Sequence, residues 1–263
     1  MTLQEMPALV RALSEGVLTL TLNRPPAHAL DLNLIEALHG ALERAAADPH
    51  VRVVVLASSG HIFCAGHDLR EIARHRDDPD GGRGYLRRLF DRCAAVMTAL
   101  AEGPLPTIAV VDGIATAAGC QLVAACDIAF ASDRASFQLP GVLNGGFCST
   151  PLVAVSRAVP RKAALEMAFS GEAIDAAAAL RIGLVNRVLP PEALPGAALD
   201  FARRLAARNP AAIARGKQVF AAQIGRPLAE AYALASDAMI ARFLDPAADA
   251  ALERYRPAGG RRD

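Results

Sequence analysis

Two glycine-containing segments of this 263-residue chain have the residue types of a site that stabilises a carbonyl oxyanion. The first is residues 61–69, with the sequence HIFCAGHDL, and the second is residues 111–122, with the sequence VDGIATAAGCQL. Each follows an apolar run typical of a strand and precedes a predicted helix, so each could direct free backbone N–H groups into a cleft. Two such donors make an oxyanion hole, which stabilises the negative charge that develops on a carbonyl oxygen.

The two turns differ in how specifically they indicate such a site. Gly66 permits a sharp bend with positive φ, and Asp68 could cap the following helix, but an ordinary strand-to-helix turn uses the same residue types. In the second turn, residues 115–119 carry no bulky side chain, which leaves the amides of a helix N-terminus uncovered for a ligand. Close packing of a helix against a sheet would also require small residues. The occurrence of both turns in order favours the site.

The chain resembles the enoyl-CoA hydratase/isomerase (crotonase) family, and the resemblance extends beyond these turns over most of its length. The segment at 23–30 (NRPPAHAL) is similar to the N-terminal signature of the family, although His28 stands where asparagine is usual. Segments 170–172 (SGE) and 183–185 (GLV) match a later signature. A branch known as enoyl-CoA-hydratase-domain-containing proteins shares the sequences AGHDL, ATAAGCQL and FCSTP with this chain.

The resemblance implies a ligand and the residues that bind it. The ligand is an acyl-CoA thioester, with the backbone N–H groups of His67 and Ala118 as the two oxyanion donors. CoA is then part of the substrate, and no separate cofactor is implied. Lys217 could meet the CoA phosphates, or it could lie on a solvated helix face; the two alternatives are equal. The other residues predicted to contact the substrate or CoA are Arg24, His28, Ala29, Ala65, Gly66, Asp68, Leu69 and Gly119.

Two positions depart from the pattern of the family's hydratases, which carry glutamates where this chain has Gln121 and Gly141. A glutamine can orient a water or an acyl chain but cannot exchange a proton near neutral pH. A positioned general acid or base contributes roughly 10²–10⁴-fold to a rate. We therefore predict a lyase-type enzyme with weak or atypical hydratase activity. The alternatives are thioester decarboxylation or hydrolysis, and acyl-CoA binding without catalysis.

Three other side chains could supply chemistry. The imidazole of His67 titrates near neutrality and could act beside the oxyanion hole, but we expect it to point away as a surface histidine. Cys148 could be a nucleophile only with a base or a lowered pKa, so we expect a core thiol. Asp127 follows a cysteine in a buried-looking strand, and we expect it to cap or pair structurally.

The pattern of apolar residues predicts an α/β fold that positions these turns. Predicted strands and helices alternate up to about residue 150, a mobile loop is predicted at 74–84, and helices dominate afterwards. The family resemblance implies a spiral of repeated ββα units over residues 1–190. It also implies a helical tail over residues 191–263 that assembles a homotrimer or a dimer of trimers. The predicted strands lie at 17–22, 51–57, 106–112, 128–131 and 135–138, and the predicted helices at 32–47, 85–101, 192–208, 211–224 and 228–244.

The composition of the chain gives no support for a nucleic acid, a membrane or a metal ion as a partner. The 28 basic and 27 acidic side chains give a net charge of +1, which offers no attraction to nucleic acid or to an anionic membrane. The 5 cysteines are scattered without a CxxC pair, which is typical of reduced thiols and not of a metal site. The sequence has neither a signal-peptide pattern nor an apolar run long enough for a membrane span. We predict a cytoplasmic location.

Overall fold

The computed structural model describes residues 7–245 and Tyr255. The chain divides into two units, residues 1–214 and 215–263. The strands are β1 Leu9–Ser14, β2 Val17–Leu22, β3 Val53–Ser58, β4 Ile62–Cys64, β5 Thr107–Val111, β6 Ile114–Thr116, β7 Ile128–Ser132, β8 Ser136–Gln138, β9 Ile174–Asp175 and β10 Arg187–Leu189. The helices are α1 Leu32–Ala47, α2 Leu69–His75, α3 Arg83–Glu102, α4 Ala118–Ala125, α5 Ser149–Ala158, α6 Arg161–Ser170, α7 Ala176–Arg181, α8 Leu194–Ala206, α9 Pro210–Gln223 and α10 Leu228–Leu244, with a 3-10 turn at Pro140–Asn144.

The strands form two sheets, and strands β3 to β8 alternate between them. The larger sheet has the order β1-β2-β3-β5-β7-β10 and the smaller has the order β4-β6-β8-β9. The strand pairs β3–β4, β5–β6 and β7–β8 therefore each give one strand to each sheet. Parallel pairing joins the units within both sheets, as the connections through helices require. This arrangement confirms the predicted α/β fold built from repeated ββα units.

Helices cover both faces of the larger sheet, which explains why its central strands are apolar throughout. In β3, Val54 and Leu56 face the main core with α1, α3 and α4, whereas Val53 and Val55 face a second cluster that includes α8. This alternation is the two-residue period of a strand. Because α8 packs on the sheet, the first unit continues to residue 214. The boundary predicted at residue 190 is therefore too early.

Several predicted elements are confirmed and others were missed. Asp31 caps α1 by accepting the N–H of Leu34 at 2.8 Å, as predicted, and the structure places α10 at the predicted 228–244. The loop predicted at 74–84 is shorter, because α2 runs to His75 and α3 begins at Arg83. Strands β1, β4, β6, β9 and β10 were not predicted.

The second unit consists of the end of α9 and the helix α10 in its described part. Large apolar side chains on these helices are more than half exposed in the single chain. They are Phe220, Ile224, Leu228, Tyr232, Met239, Ile240, Phe243 and Leu244. Within the described ranges, no helix is both long and apolar enough to cross a membrane.

Candidate functional site

The two glycine turns lie side by side because the strands that precede them are parallel neighbours. In the smaller sheet, Ile62 pairs with Ile114 and Cys64 with Ala115. Gly66 adopts a φ of +87°, and a Cβ at this position would lie 2.9 Å from the Cβ of Ala117 and 3.1 Å from the backbone nitrogen of Ala118. Only glycine permits both the conformation and the close approach. The structure therefore brings the two sequence-predicted turns into contact.

The backbone N–H of His67 points away from the neighbouring chain segment. Leu30 donates its N–H to Gly66 O at 2.8 Å and accepts the N–H of Asp68 at 3.0 Å, which makes a parallel bridge between Leu30 and His67. In such a bridge the middle residue directs its own N–H to the opposite side. Among the residues the structure describes, that N–H has no acceptor. It is free to bind a ligand atom, as predicted for the first donor.

The N-terminus of α4 carries the predicted second donor. Ala117, which precedes the helix, has a φ of +50°, a conformation that L-residues rarely adopt and that is typical of strained functional turns. Ala118 is 0% exposed, and within the described ranges the N–H groups of Ala118, Gly119 and Cys120 have no acceptor. A buried donor without a partner costs about 1–3 kcal/mol. The helix end also carries partial positive charge, so this site favours an anionic oxygen.

Gly119 holds α4 against the first turn. A Cβ on Gly119 would lie 2.0 Å from the carbonyl oxygen of Cys64 and 2.9 Å from its Cβ. Glycine is therefore required for the close approach of α4 to β4. The predicted ligand contact of Gly119 stays a prediction, but its role in placing the Ala118 N–H follows from this packing.

Arg24 ties the segment before α1 to the first turn. Its guanidinium contacts Asp31 at 3.2 Å and Asp68 at 2.8 Å, and it donates to the carbonyl of Ala29 at 3.1 Å. Asp68 also caps α2 by accepting the N–H groups of Arg70 and Glu71, as predicted. Burial alone would raise the pKa of Asp68, but these hydrogen bonds and the Arg24 charge lower it. Arg24 is thus engaged with the protein, and its predicted contact with CoA remains a prediction.

The side chain of His28 is structural. His28 is 1% exposed with a φ of +46°. Its Nδ1 accepts the backbone N–H of Arg24 at 2.9 Å, so the ring proton is on Nε2, which donates to Ser59 O at 2.6 Å. Both ring nitrogens are therefore occupied, and the predicted contact with CoA could involve only the backbone of His28.

The side chain of His67 is not a surface group, so that expectation was wrong. Its imidazole packs edge-on against Phe90 of α3, with ring centroids 5.2 Å apart. Its Nε2 is buried without a hydrogen-bond partner. Burial lowers the pKa of His67 from 6.5 to about 4, so the ring is neutral at pH 7. The backbone N–H of this residue thus points away from Leu30, while its side chain faces α3.

The burial of His67 makes stability depend on pH. The pKa of His67 is about 4 in the folded protein and 6.5 when exposed. As the pH falls, the unfolded chain therefore binds a proton at this residue before the folded protein does. The contribution of His67 to the unfolding free energy is fully present above pH 6.5 and is lost as the pH decreases towards 4. One such group contributes at most about 1.4 kcal/mol per pH unit. We expect His67→Leu to show a smaller decrease in unfolding free energy, measured with urea between about pH 7 and 5.

His28 provides the reference for this comparison, since burial lowers its pKa in the same direction. The His67→Leu variant should keep the part of the pH dependence that His28 contributes. Equal pH dependence in the variant and the parent protein would contradict a buried, neutral His67.

The two positions that replace the glutamates differ in what the structure allows. Gln121 is 4% exposed, and its Oε1 is buried without a partner. A Cβ on Gly141 would lie 2.6 Å from the nitrogen of Cys148 and 2.7 Å from the carbonyl carbon of Phe147. The backbone at 147–148 therefore occupies the space that a side chain at 141 would need.

Other candidate residues have structural roles. Cys148 is 8% exposed, accepts the Gly141 N–H at 3.2 Å and has a pKa raised by burial, which confirms a core thiol. Asp127 accepts the N–H and hydroxyl of Thr107 at 2.7 and 2.9 Å, as predicted. Lys217 belongs to the second unit, and Leu69 is 69% exposed. The predicted roles of Ala29, Ala65 and Leu69 in binding CoA stay predictions.

One residue near the turns was missed by the sequence analysis, and the role of another was left open. Thr116 ends β6, and its Oγ1 is buried without a partner; it is the only polar side chain in the small-residue run at 115–119, which was the available signal. The helix predicted at 85–101 presents Phe90 on an apolar face that suits an acyl chain and a plain core equally, and in the structure the Phe90 ring packs on His67.

Comparison with known proteins identifies the family to which this sequence belongs. The sequence profile described as Enoyl-CoA hydratase/isomerase matches residues 12–253. The chain belongs to the enoyl-CoA hydratase/isomerase family. A curated member from Rattus norvegicus, enoyl-CoA hydratase domain-containing protein 3, mitochondrial, is 43% identical over 227 residues, or 86% of this chain and 74% of the relative. The 2,3-dehydroadipyl-CoA hydratase of Escherichia coli is 34% identical, with 81% of each chain covered.

A solved structure supports the same membership of the enoyl-CoA hydratase/isomerase family. An enoyl-CoA hydratase/isomerase family protein from Silicibacter pomeroyi is 54% identical and superposes with a TM-score of 0.86, covering 90% of this chain and 99% of its own. The resemblance inferred from the sequence, including its closeness to the hydratase-domain-containing branch, is therefore confirmed. The name of the rat protein places that protein in mitochondria, and the cytoplasmic location of this chain stays a prediction.

Proposed function

We propose that the protein binds an acyl-CoA thioester with its carbonyl oxygen between the N–H groups of His67 and Ala118. The observation that carries this proposal is the contact between two turns whose donor N–H groups have no acceptor in the described structure. The names of the rat and Escherichia coli relatives support CoA thioesters as the ligand class. CoA is part of the substrate, and we propose no additional cofactor.

The proposed hole would act on the negative charge that forms when a thioester becomes an enolate or a related anion. Donors fixed before the reaction stabilise this charge without reorganising, and removing one such donor costs roughly 10²–10³ in kcat. The partial positive charge at the N-terminus of α4 acts in the same direction. Lyase-type chemistry on a CoA thioester is consistent with these elements.

The residues beside the hole favour weak or atypical hydration. The unpartnered Oε1 of Gln121 can accept a hydrogen bond from a water or from a hydroxyl of the acyl group, but the amide cannot take its proton. At Gly141 the backbone leaves no space for a second acid. Hydration by a pair of carboxylates is therefore excluded from the proposal. The closed backbone at Gly141 also favours one alternative, which is acyl-CoA binding without turnover.

The hydration of crotonyl-CoA tests this function. We expect the wild-type protein to hydrate it slowly and Gln121→Glu to be faster by on the order of 10², because the variant restores one proton-transferring group. The Gly141→Glu change is unsuitable as a companion, since its Cβ would overlap the backbone at 147–148. Fast hydration by the wild-type protein would contradict the inference from the missing glutamates. Failure to bind any acyl-CoA, measured by calorimetry, would overturn the proposed function itself.

We also propose that the helical tail assembles a homotrimer or a dimer of trimers. The exposed apolar side chains of α9 and α10 support this proposal, because a monomer rarely leaves so many large apolar groups in water.

A further inference from the structure

A surface pocket on α3 begins at the aromatic ring that packs on His67. The pocket has a volume of ≈ 450 Å³ and is lined by Asp80, Gly81, Arg83, Leu86, Arg87 and Phe90. Four of these residues are spaced by three and four along α3, so they share one face of the helix. The pocket therefore runs along one face of α3, from Phe90, whose ring contacts the imidazole of His67, to the N-terminal end of the helix. Seven residues of helix separate Phe90 from Arg83, which corresponds to roughly 10 Å.

The pocket combines an apolar floor with two cationic side chains. Leu86 and Phe90 supply apolar surface, and Arg83 and Arg87 supply guanidinium groups. Arg83 forms no ion pair within the described part of the chain, and the pair between Arg87 and Asp91 is long, at 3.9 Å, and mostly exposed. Such an exposed pair contributes little and is easily exchanged for a better partner.

Asp80 is the one acidic residue that lines the pocket, and its carboxylate is already engaged. Its two oxygens accept the N–H groups of Gly82 at 2.9 Å and Gly84 at 2.7 Å. These hydrogen bonds hold the turn before α3. The pocket thus has more positive than negative charge.

We propose that this pocket binds the far end of the acyl group and selects acyl groups that end in a carboxylate. The inference rests on the proposed function, because it requires a thioester at the His67 and Ala118 N–H groups. The methylene groups of the acyl chain would pack on Phe90 and Leu86. The terminal carboxylate would accept hydrogen bonds from Arg83 and Arg87, whose planar guanidinium groups match its geometry. The substrate class is then a CoA ester of a dicarboxylic acid.

The same arginines could instead bind the phosphates of CoA, which are also anionic. The two possibilities differ in which ligands depend on the arginines. A carboxylate site discriminates between two CoA esters that differ only at the end of the acyl chain, whereas a phosphate site affects every CoA compound equally.

The test compares adipoyl-CoA with hexanoyl-CoA, which have the same chain length and differ in the terminal carboxylate. Calorimetry on the full chain should give about tenfold tighter binding of adipoyl-CoA, as a charged hydrogen bond contributes. The double variant Arg83→Gln, Arg87→Gln should lose this preference and bind hexanoyl-CoA as the wild-type protein does. Arg92→Gln is the matched control, because Arg92 lies on the same helix outside the pocket; it should keep the preference.

Each other outcome overturns the inference in a distinguishable way. Equal affinity of the wild-type protein for the two esters would show that the pocket does not bind the terminal carboxylate. The proposed function would be unaffected by this result. Equal weakening of adipoyl-CoA, hexanoyl-CoA and free CoA in the double variant would assign the arginines to the CoA phosphates. Failure of the wild-type protein to bind either ester would overturn the proposed function as well.

Discussion

Replacing Ala118 with proline should slow the hydration of crotonyl-CoA by about 10²–10³, the effect of removing one oxyanion donor. Proline lacks the N–H group but is tolerated at the first position of a helix, where no intrahelical bond is lost. The rate is best measured in the Gln121→Glu background, in which we expect hydration to be faster. The change removes the Ala118 N–H, which the packing of Gly119 on Cys64 holds close to the first turn.

Ala118→Gly is the matched control for this substitution, because it keeps the N–H group and adds no bulk. Proline also restricts the residue before it, and Ala117 has a φ of +50°. Circular dichroism and urea unfolding must therefore show that the proline variant is folded. An unchanged rate in a folded Ala118→Pro protein would contradict the role of this donor.

Replacing Gly119 with alanine should cause a large loss of stability. The added Cβ would lie 2.0 Å from the carbonyl oxygen of Cys64, so α4 must move away from β4. Overpacking of this kind costs about 3 kcal/mol. The movement would also displace the Ala118 N–H, and acyl-CoA binding should weaken together with stability. Urea unfolding and calorimetry measure the two effects.

Gly196 offers the matched control for this comparison, since it lies in α8 and a Cβ there meets nothing within 4 Å. Alanine at this position should stabilise the protein slightly, by about 0.4–1 kcal/mol. Equal stability of the Gly119→Ala and Gly196→Ala proteins would show that α4 has space for the methyl group.

Local signals were sufficient to predict the elements that carry the site. Asp31 and Asp68 each precede a helical apolar pattern, and both cap their helices as expected. The continuous apolar runs became strands buried on both faces, because helices cover the larger sheet on each side. The two glycine turns could be placed together through the family resemblance, which implies repeated ββα units.

Features that depend on distant contacts could not be predicted. The burial of His67 results from Phe90 on another helix, and the closure at Gly141 results from the backbone of Phe147 and Cys148 folding back on it. The role of Arg24 depends on Asp68, which is 44 residues away in sequence. Strand β10 is short and pairs in parallel with β7, so no local alternation marks it.

The infrared carbonyl band of bound acyl-CoA tests most directly whether the two turns form an oxyanion hole. Hexanoyl-CoA labelled with ¹³C at the thioester carbonyl would identify this band in a difference spectrum. Two N–H donors at the oxygen weaken the C=O bond, so we predict a shift to lower frequency on binding to the wild-type protein. The shift should be smaller in Ala118→Pro and preserved in Ala118→Gly. A bound ester whose carbonyl band stays at its frequency in water would contradict the proposed site.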